Sequence, residues 1–393
     1  MAATEVSARA PAEARRLERT AGGRLAYLDN LRVFLIAGVI VSHAATAYIG
    51  GGAWVESEEA NGVNAITVLA LIGLIGALFW IGLFFLISGM LAPRALAHRG
   101  AWPFLRDRAL RLGVPFLVYL FVVMPLMHYW LYVYRYKGPG SPMPITNYLV
   151  QHELDLDPGP LWFLAALLVI TTAYTLWWRV RPRRAGHPRP FRAVYLVGLP
   201  LLIGAASFGV HLALPAFTHQ YLDLHFWQWP QYIILFWFGT LCADRRWLPA
   251  VPNRIWHRCL VAMLGAVLAV PVVAVTGGAL SGQGQALTGG WHWQALATGM
   301  IEGVLAVAGS LWFLELFRRY SSHQGPLGRQ IARSAFGAYI LQAPVLTGLA
   351  VLLEPLRLSV EIRFLLLAPA TLFVCFAVAW LLVVRLHVGN RIV

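Results

Sequence analysis

Apolar residues in this chain gather in ten long runs, at about 26–49, 64–91, 113–134, 160–178, 193–213, 230–243, 259–278, 293–317, 334–353 and 364–386. Charges, prolines and many glycines collect between them. Most runs come close to the roughly twenty residues that carry a helix across a bilayer. The run PQYIILFWFGTLCA at 230–243 is shorter. Nothing in hydrocarbon can satisfy an exposed backbone group, so the spans must be helices. The pattern predicts an all-α, polytopic integral membrane protein with about ten transmembrane helices.

The distribution of charge tests that count independently. With the N-terminus placed in the cytoplasm, alternate segments on that side carry 27 of the chain's 31 Lys and Arg residues, leaving Arg135, Lys137, Arg357 and Arg363 outside. A missed or extra helix would scramble this alternation, so the positive-inside rule supports ten spans with N- and C-termini both cytoplasmic. Nine of the seventeen acids fall on the outer side, which points the same way. The net charge of +14 therefore reports orientation and contact with anionic lipid, not nucleic acid. Composition agrees: 59% apolar residues, 12% charged residues and a mean hydropathy of +0.65 suit lipid as the surrounding solvent. Residues 1–23 have no apolar core and read as a disordered cytoplasmic tail, leaving 24–393 as one transmembrane domain. Cys242, Cys259 and Cys375 give neither a disulfide framework nor a metal motif, and no metal is expected.

Ionisable groups inside the runs carry the candidate chemistry. The first run contains Arg32 and His43. Eleven residues at roughly 100° and 1.5 Å each place them within about 20° of one helix face and about 16 Å apart, with the guanidinium near the membrane surface and the ring deep. His43 reads as a general base or an acyl-accepting nucleophile, or else as a histidine hydrogen-bonded between helices for packing. Arg32 reads as a phosphate clamp or as a snorkelling positive-inside residue, with Asp29 three positions away as an ion-pair partner.

Two further segments could complete such a site. The second cytoplasmic loop, FLRDRALRLGVPF, supplies Arg106, Arg108 and Arg111, and in a helical segment Arg108 and Arg111 share a face able to bind a polyphosphate. In FFLISGML, Ser88 offers a hydroxyl, and Gly89 permits close approach of either a ligand or a neighbouring helix. His211, His219 and His225 lack a tight metal spacing, and Glu302 and Glu315 share the eighth run without an assigned role.

Several motifs in fixed order carry a resemblance. LDNLR, ten residues, then His43, followed by FFLISG, RALRLGVPF, GPLWFL at 159–164 and SAFGAYILQAPVL at 334–346, resembles membrane acyltransferase family 3 from about residue 25 to 387. YLDNLR, GGAWVESEE and QYIILFWFGTLCADRRWL resemble its branch named for glucan biosynthesis protein C. The resemblance implies a multi-pass protein of a bacterial-type inner membrane. It would move an acyl group, acetyl or succinyl, from cytoplasmic acyl-CoA to a hydroxyl of an envelope carbohydrate or glycolipid. His43 and Arg32 would be catalytic, and Arg32, Ser88, Arg108 and Arg111 would bind the acyl-CoA co-substrate. Many relatives carry a histidine where this chain has Gln342, which leaves His43 as the main base.

An extended acyl-CoA, with phosphates at one end and a thioester at the other, matches the separation of Arg32 and His43. The acceptor would enter from outside, past Glu56, Glu58 and Glu59, or past His152, Glu153, Asp155 and Asp157 ahead of Trp162. Of these, Glu58, Asp155, Asp157 and Trp162 are the candidate substrate contacts. Two other classes remain open. A polytopic lipid-linked sugar transferase would use the acids of the first outer loop, and a glycolipid transporter would move its cargo without consuming acyl-CoA.

Overall fold

The computed structural model describes residues 26–48, 69, 73, 76–151, 156–180, 192–218, 220–244, 251–279, 282 and 284–386. Among them there are helices and turns but no strands. Eight helices are long and apolar enough to cross a membrane: α1 (Ala26–Thr46), α2 (Leu78–Arg99), α3 (Ala101–Arg135), α4 (Gly159–Val180), α7 (Asn253–Thr276), α8 (Trp293–Tyr320), α9 (Pro326–Leu356) and α10 (Val360–Arg385). The two remaining apolar runs form the shorter helices α5 (Tyr195–His211) and α6 (Trp229–Asp244). Every predicted run thus corresponds to one helix, and the protein is an all-α polytopic membrane protein. The tail at 1–23 lies outside the described residues.

Boundaries differ from the sequence reading in an instructive place. The arginine-rich stretch before the third run is not a loop: Ala101–Arg135 is one continuous helix, with wider π turns at Ala109–Gly113 and Tyr119–Val123. Apolar run length measures only the part of a helix that needs lipid. Arg106, Arg108 and Arg111 therefore ride on the first turns of α3, on a rigid element.

Lipid gives helices little hydrophobic reason to associate, so close packing through small residues takes over. The interface of α2 with α6 shows this. A Cβ on Gly89 would sit 2.0 Å from the Phe236 carbonyl oxygen, and one on Gly239 would sit 2.3 Å from that of Leu86. Each glycine thus receives the backbone of the other helix. The pairing of α5 with α8 uses the same device, since a Cβ on Gly303 would lie 2.3 Å from the Pro200 carbonyl oxygen.

At the bundle's centre, α1 packs against α8, α9 and α10. Leu31, Leu35 and Ile40 are fully buried on it. Its first turn is pinned by Asn30, whose Nδ2 donates to the carbonyls of Ser321 (2.8 Å) and His323 (3.2 Å) while Gln324 Nε2 donates to its Oδ1 (2.7 Å). That clasp joins the start of α1 to the α8–α9 connection, so α1 and α9 set out from the same end of the bundle.

Gly89→Ala should cost about 1–3 kcal/mol through overpacking, because the obstacle is backbone and cannot rotate away. Gly198→Ala on α5, with nothing within 4 Å of the added carbon, should be neutral or slightly stabilising. Thermal melting of the two variants in detergent compares them directly.

Candidate active site

One end of the bundle gathers guanidinium groups. Arg32 Nη1 lies 3.6 Å from Asp29 Oδ1, a loose pair that leaves about a third of the Arg32 side chain exposed. On the neighbouring helices, Asp107 accepts from Arg99 Nη1 (3.2 Å) and from Arg111 Nε (3.1 Å). The Arg108 guanidinium sits over the Phe104 ring, 5.3 Å from its centroid, within the electrostatic field of Arg32, Asp107, Arg111 and Arg99. Four cations therefore share one neighbourhood with two carboxylates, Asp29 and Asp107. Like charges gathered beside a low-dielectric interior repel one another, and a bound polyanion relieves that repulsion.

Toward the other end, α1 presents His43 in its last full turn. The Thr46 hydroxyl (3.0 Å) and the Ala47 amide (3.1 Å) both donate to the His43 carbonyl as the helix closes. The ring thus belongs to the last full turn of the helix, and side chains lean back toward the helix start. His43 Nδ1 is 2.9 Å from Gln342 Oε1 on α9. A carbonyl oxygen only accepts, so in this arrangement Nδ1 carries the hydrogen and Nε2 keeps the basic lone pair.

An aromatic wall continues from there. One turn before Gln342, the Tyr339 hydroxyl donates to the Pro160 carbonyl at the head of α4. Two residues on, Trp162 stacks on the His225 ring at 4.4 Å and on Tyr232 at 5.8 Å. Tyr232 in turn stacks on Phe85 at 4.5 Å, and Phe163 meets Phe84, Phe85 and Tyr339. His225 lies within electrostatic range of His43. Three segments far apart in sequence, the end of α1, the middle of α9 and the loop before α6, thereby converge.

Residues 25–384 match the family model described as an acyltransferase domain. The chain belongs to acyltransferase family 3. No curated protein and no solved structure gives a match.

Membership makes the protein a membrane acyltransferase, and the geometry sorts the residues read from its sequence. Arg32, Arg108 and Arg111 come together at one end, joined by Arg99, which sequence spacing did not suggest. Ser88 is half-buried on α2. Its neighbour Gly89 serves helix packing, the structural one of its two readings. Asp157 Oδ1 accepts from the Gly159 amide at 2.7 Å and so shapes the turn that launches α4. Trp162 is largely enclosed between aromatic neighbours and reaches the site through His225. Glu58 and Asp155 lie outside the described residues, as do Glu56, Glu59, His152 and Glu153. Glu315 is held by Arg318 (2.6 and 2.7 Å) and Arg319 (2.5 Å), while Glu302 is fully buried elsewhere on α8.

Two residues of the site escaped sequence reasoning. Gln342 registered only as a departure from the family pattern, and His225 was set aside for want of metal spacing. Gln342→Met, of similar volume but without the carboxamide, should lower transfer by about tenfold or more while leaving the melting temperature close to that of the parent, because it frees the orientation and tautomer of His43. Steady-state rates and melting curves of the variant check this.

Proposed function

We propose that this acyltransferase moves an acyl group, acetyl or succinyl, from acyl-CoA to a hydroxyl of an envelope carbohydrate or glycolipid across the inner membrane. The observation that carries the reading is the layout of α1. A single unbroken helix holds Arg32 within a cluster of guanidiniums and His43, about 16 Å further along, beside Gln342 and an aromatic wall.

In this reading the arginine-rich end faces the cytoplasm, as the charge alternation requires. Arg32, Arg108 and Arg111 hold the phosphates of acyl-CoA, since a guanidinium offers a fixed fork of donors to phosphate oxygens. Ser88 lies along the donor's path on α2. The pantetheine arm extends beside α1 and delivers the thioester to His43. There the Nε2 lone pair takes the proton of the acceptor hydroxyl or accepts the acyl group itself. The acceptor approaches from the outer side, where Glu58, Asp155, Asp157 and the Trp162 wall are the expected contacts. Nothing in this chemistry calls for a metal.

His43→Ala should reduce transfer by at least about 100-fold while the protein still inserts and melts normally. Thiol release from acetyl-CoA and succinyl-CoA by purified protein in vesicles, supplied with an envelope lipid and glycan extract, measures it. Full activity in that variant would eliminate His43 as base or nucleophile. Arg32→Ala should raise the KM for the donor by about tenfold or more with a smaller change for the acceptor, the signature of a lost charge-assisted contact.

A further inference from the structure

His225 stands in a backbone conformation that asks for explanation. It has φ +51°, and Leu222 and Asp223 on the same short loop also have positive φ, at +51° and +42°. Left-handed backbone is disfavoured for residues with a Cβ, and such strain persists only where the surrounding structure demands it. Gln220 accepts from the Asp223 amide at 2.8 Å within the loop, and three further contacts act on the imidazole or its immediate neighbours. The Asp223 carbonyl lies 2.7 Å from His225 Nδ1, the indole of Trp162 covers the ring at 4.4 Å, and Trp229 Nε1 donates to the Leu224 carbonyl at 2.9 Å.

These contacts fix the chemistry of the ring. A carbonyl can only accept, so Nδ1 of the neutral ring carries the hydrogen, and Nε2 is left with the lone pair. His43 is set in the same tautomer by Gln342. Two imidazoles with basic Nε2 atoms thus adjoin one wall, His43 on α1 through Gln342 and His225 on the loop leading into α6 through Trp162. The Trp162 wall that His225 leans on is tied to α9 through Pro160 and Tyr339, one turn from Gln342.

We infer that His225 is a catalytic base that takes the proton of the acceptor hydroxyl while His43 carries the acyl group. The inference rests on the acyl-CoA reading above and divides its chemistry between two residues. In the first step His43 Nε2 bonds to the thioester carbon, the C–S bond breaks, and its electron pair leaves on sulfur as coenzyme A thiolate. In the second, the acceptor oxygen bonds to the acyl carbon as its proton passes to His225 Nε2. The N–C bond breaks and returns its electron pair to His43. The proton on His225 then passes through water to the thiolate, which restores both rings and yields the ester and free thiol. Gln342 holds the Nδ1–H of His43 throughout and so positions the acyl carrier.

His225→Gly tests this cleanly, because glycine accepts φ +51° without strain and leaves an imidazole-sized gap against Trp162. With labelled acetyl-CoA or succinyl-CoA as donor and an envelope lipid and glycan extract as acceptor, the variant should label the extract at least about 100-fold more slowly. Its affinity for the donor and its melting temperature should stay at the parent level. Added free imidazole should restore a measurable part of the rate, which a purely structural role would not allow. Labelling at the parent rate, or a loss that imidazole does not repair, overturns the assignment of His225 and leaves the acyl-CoA reading standing. A parent protein that releases thiol from neither donor overturns both.

Discussion

A charge and an imidazole on one apolar helix form the constraint around which the rest of this structure is arranged. Lipid tolerates neither Arg32 nor His43 without company, and α1 is short enough that both must find it in the protein or at the membrane surface. The solutions differ at the two ends. Arg32 lies among Asp29, Arg99, Asp107, Arg108 and Arg111, where water and anions can reach. His43 is engaged by Gln342, a neutral partner that fixes the ring without adding charge. The helix thus connects a cluster of guanidiniums to an imidazole held by a carboxamide.

Packing serves that arrangement. Asn30 clasps the α8–α9 connection and sets α1 level with α9, which brings Gln342 to the depth of His43. Gly89 and Gly239 let α2 and α6 touch backbone to backbone, and this closeness places Phe85 against Tyr232 and carries the loop before α6, with His225, over Trp162. A bulkier residue at either glycine would move the aromatic wall as a unit. Sites built on stiff helices keep their geometry better than sites on loops. Here the one loop contribution, His225, is stiffened by a carbonyl, an indole and a left-handed backbone.

Much of this was legible in the chain itself. Hydrophobic run length gave every long apolar helix, because a bilayer imposes one length scale on all of them. Arg32 and His43 could be placed relative to each other because a single helix has fixed pitch, and the motif order identified the family. Boundaries were less legible: Ala101–Arg135 extends well before its apolar run, since polar residues at a membrane surface continue a helix at no cost in lipid contact. Gly89 allowed two readings that only the position of Phe236 separates.

What the sequence by itself determined, then, is everything governed by local periodicity and by the bilayer: class, the placing of the long apolar helices, charge asymmetry, and the pairing of guanidinium with imidazole on α1. Tertiary structure alone decided which distant residues complete the site. Gln342 and His225 lie 299 and 182 positions from His43, and no pitch or spacing rule reaches across intervening helices. Their meeting depends on how the helices dock, a property of three-dimensional shape that a linear pattern of apolar and polar residues does not encode.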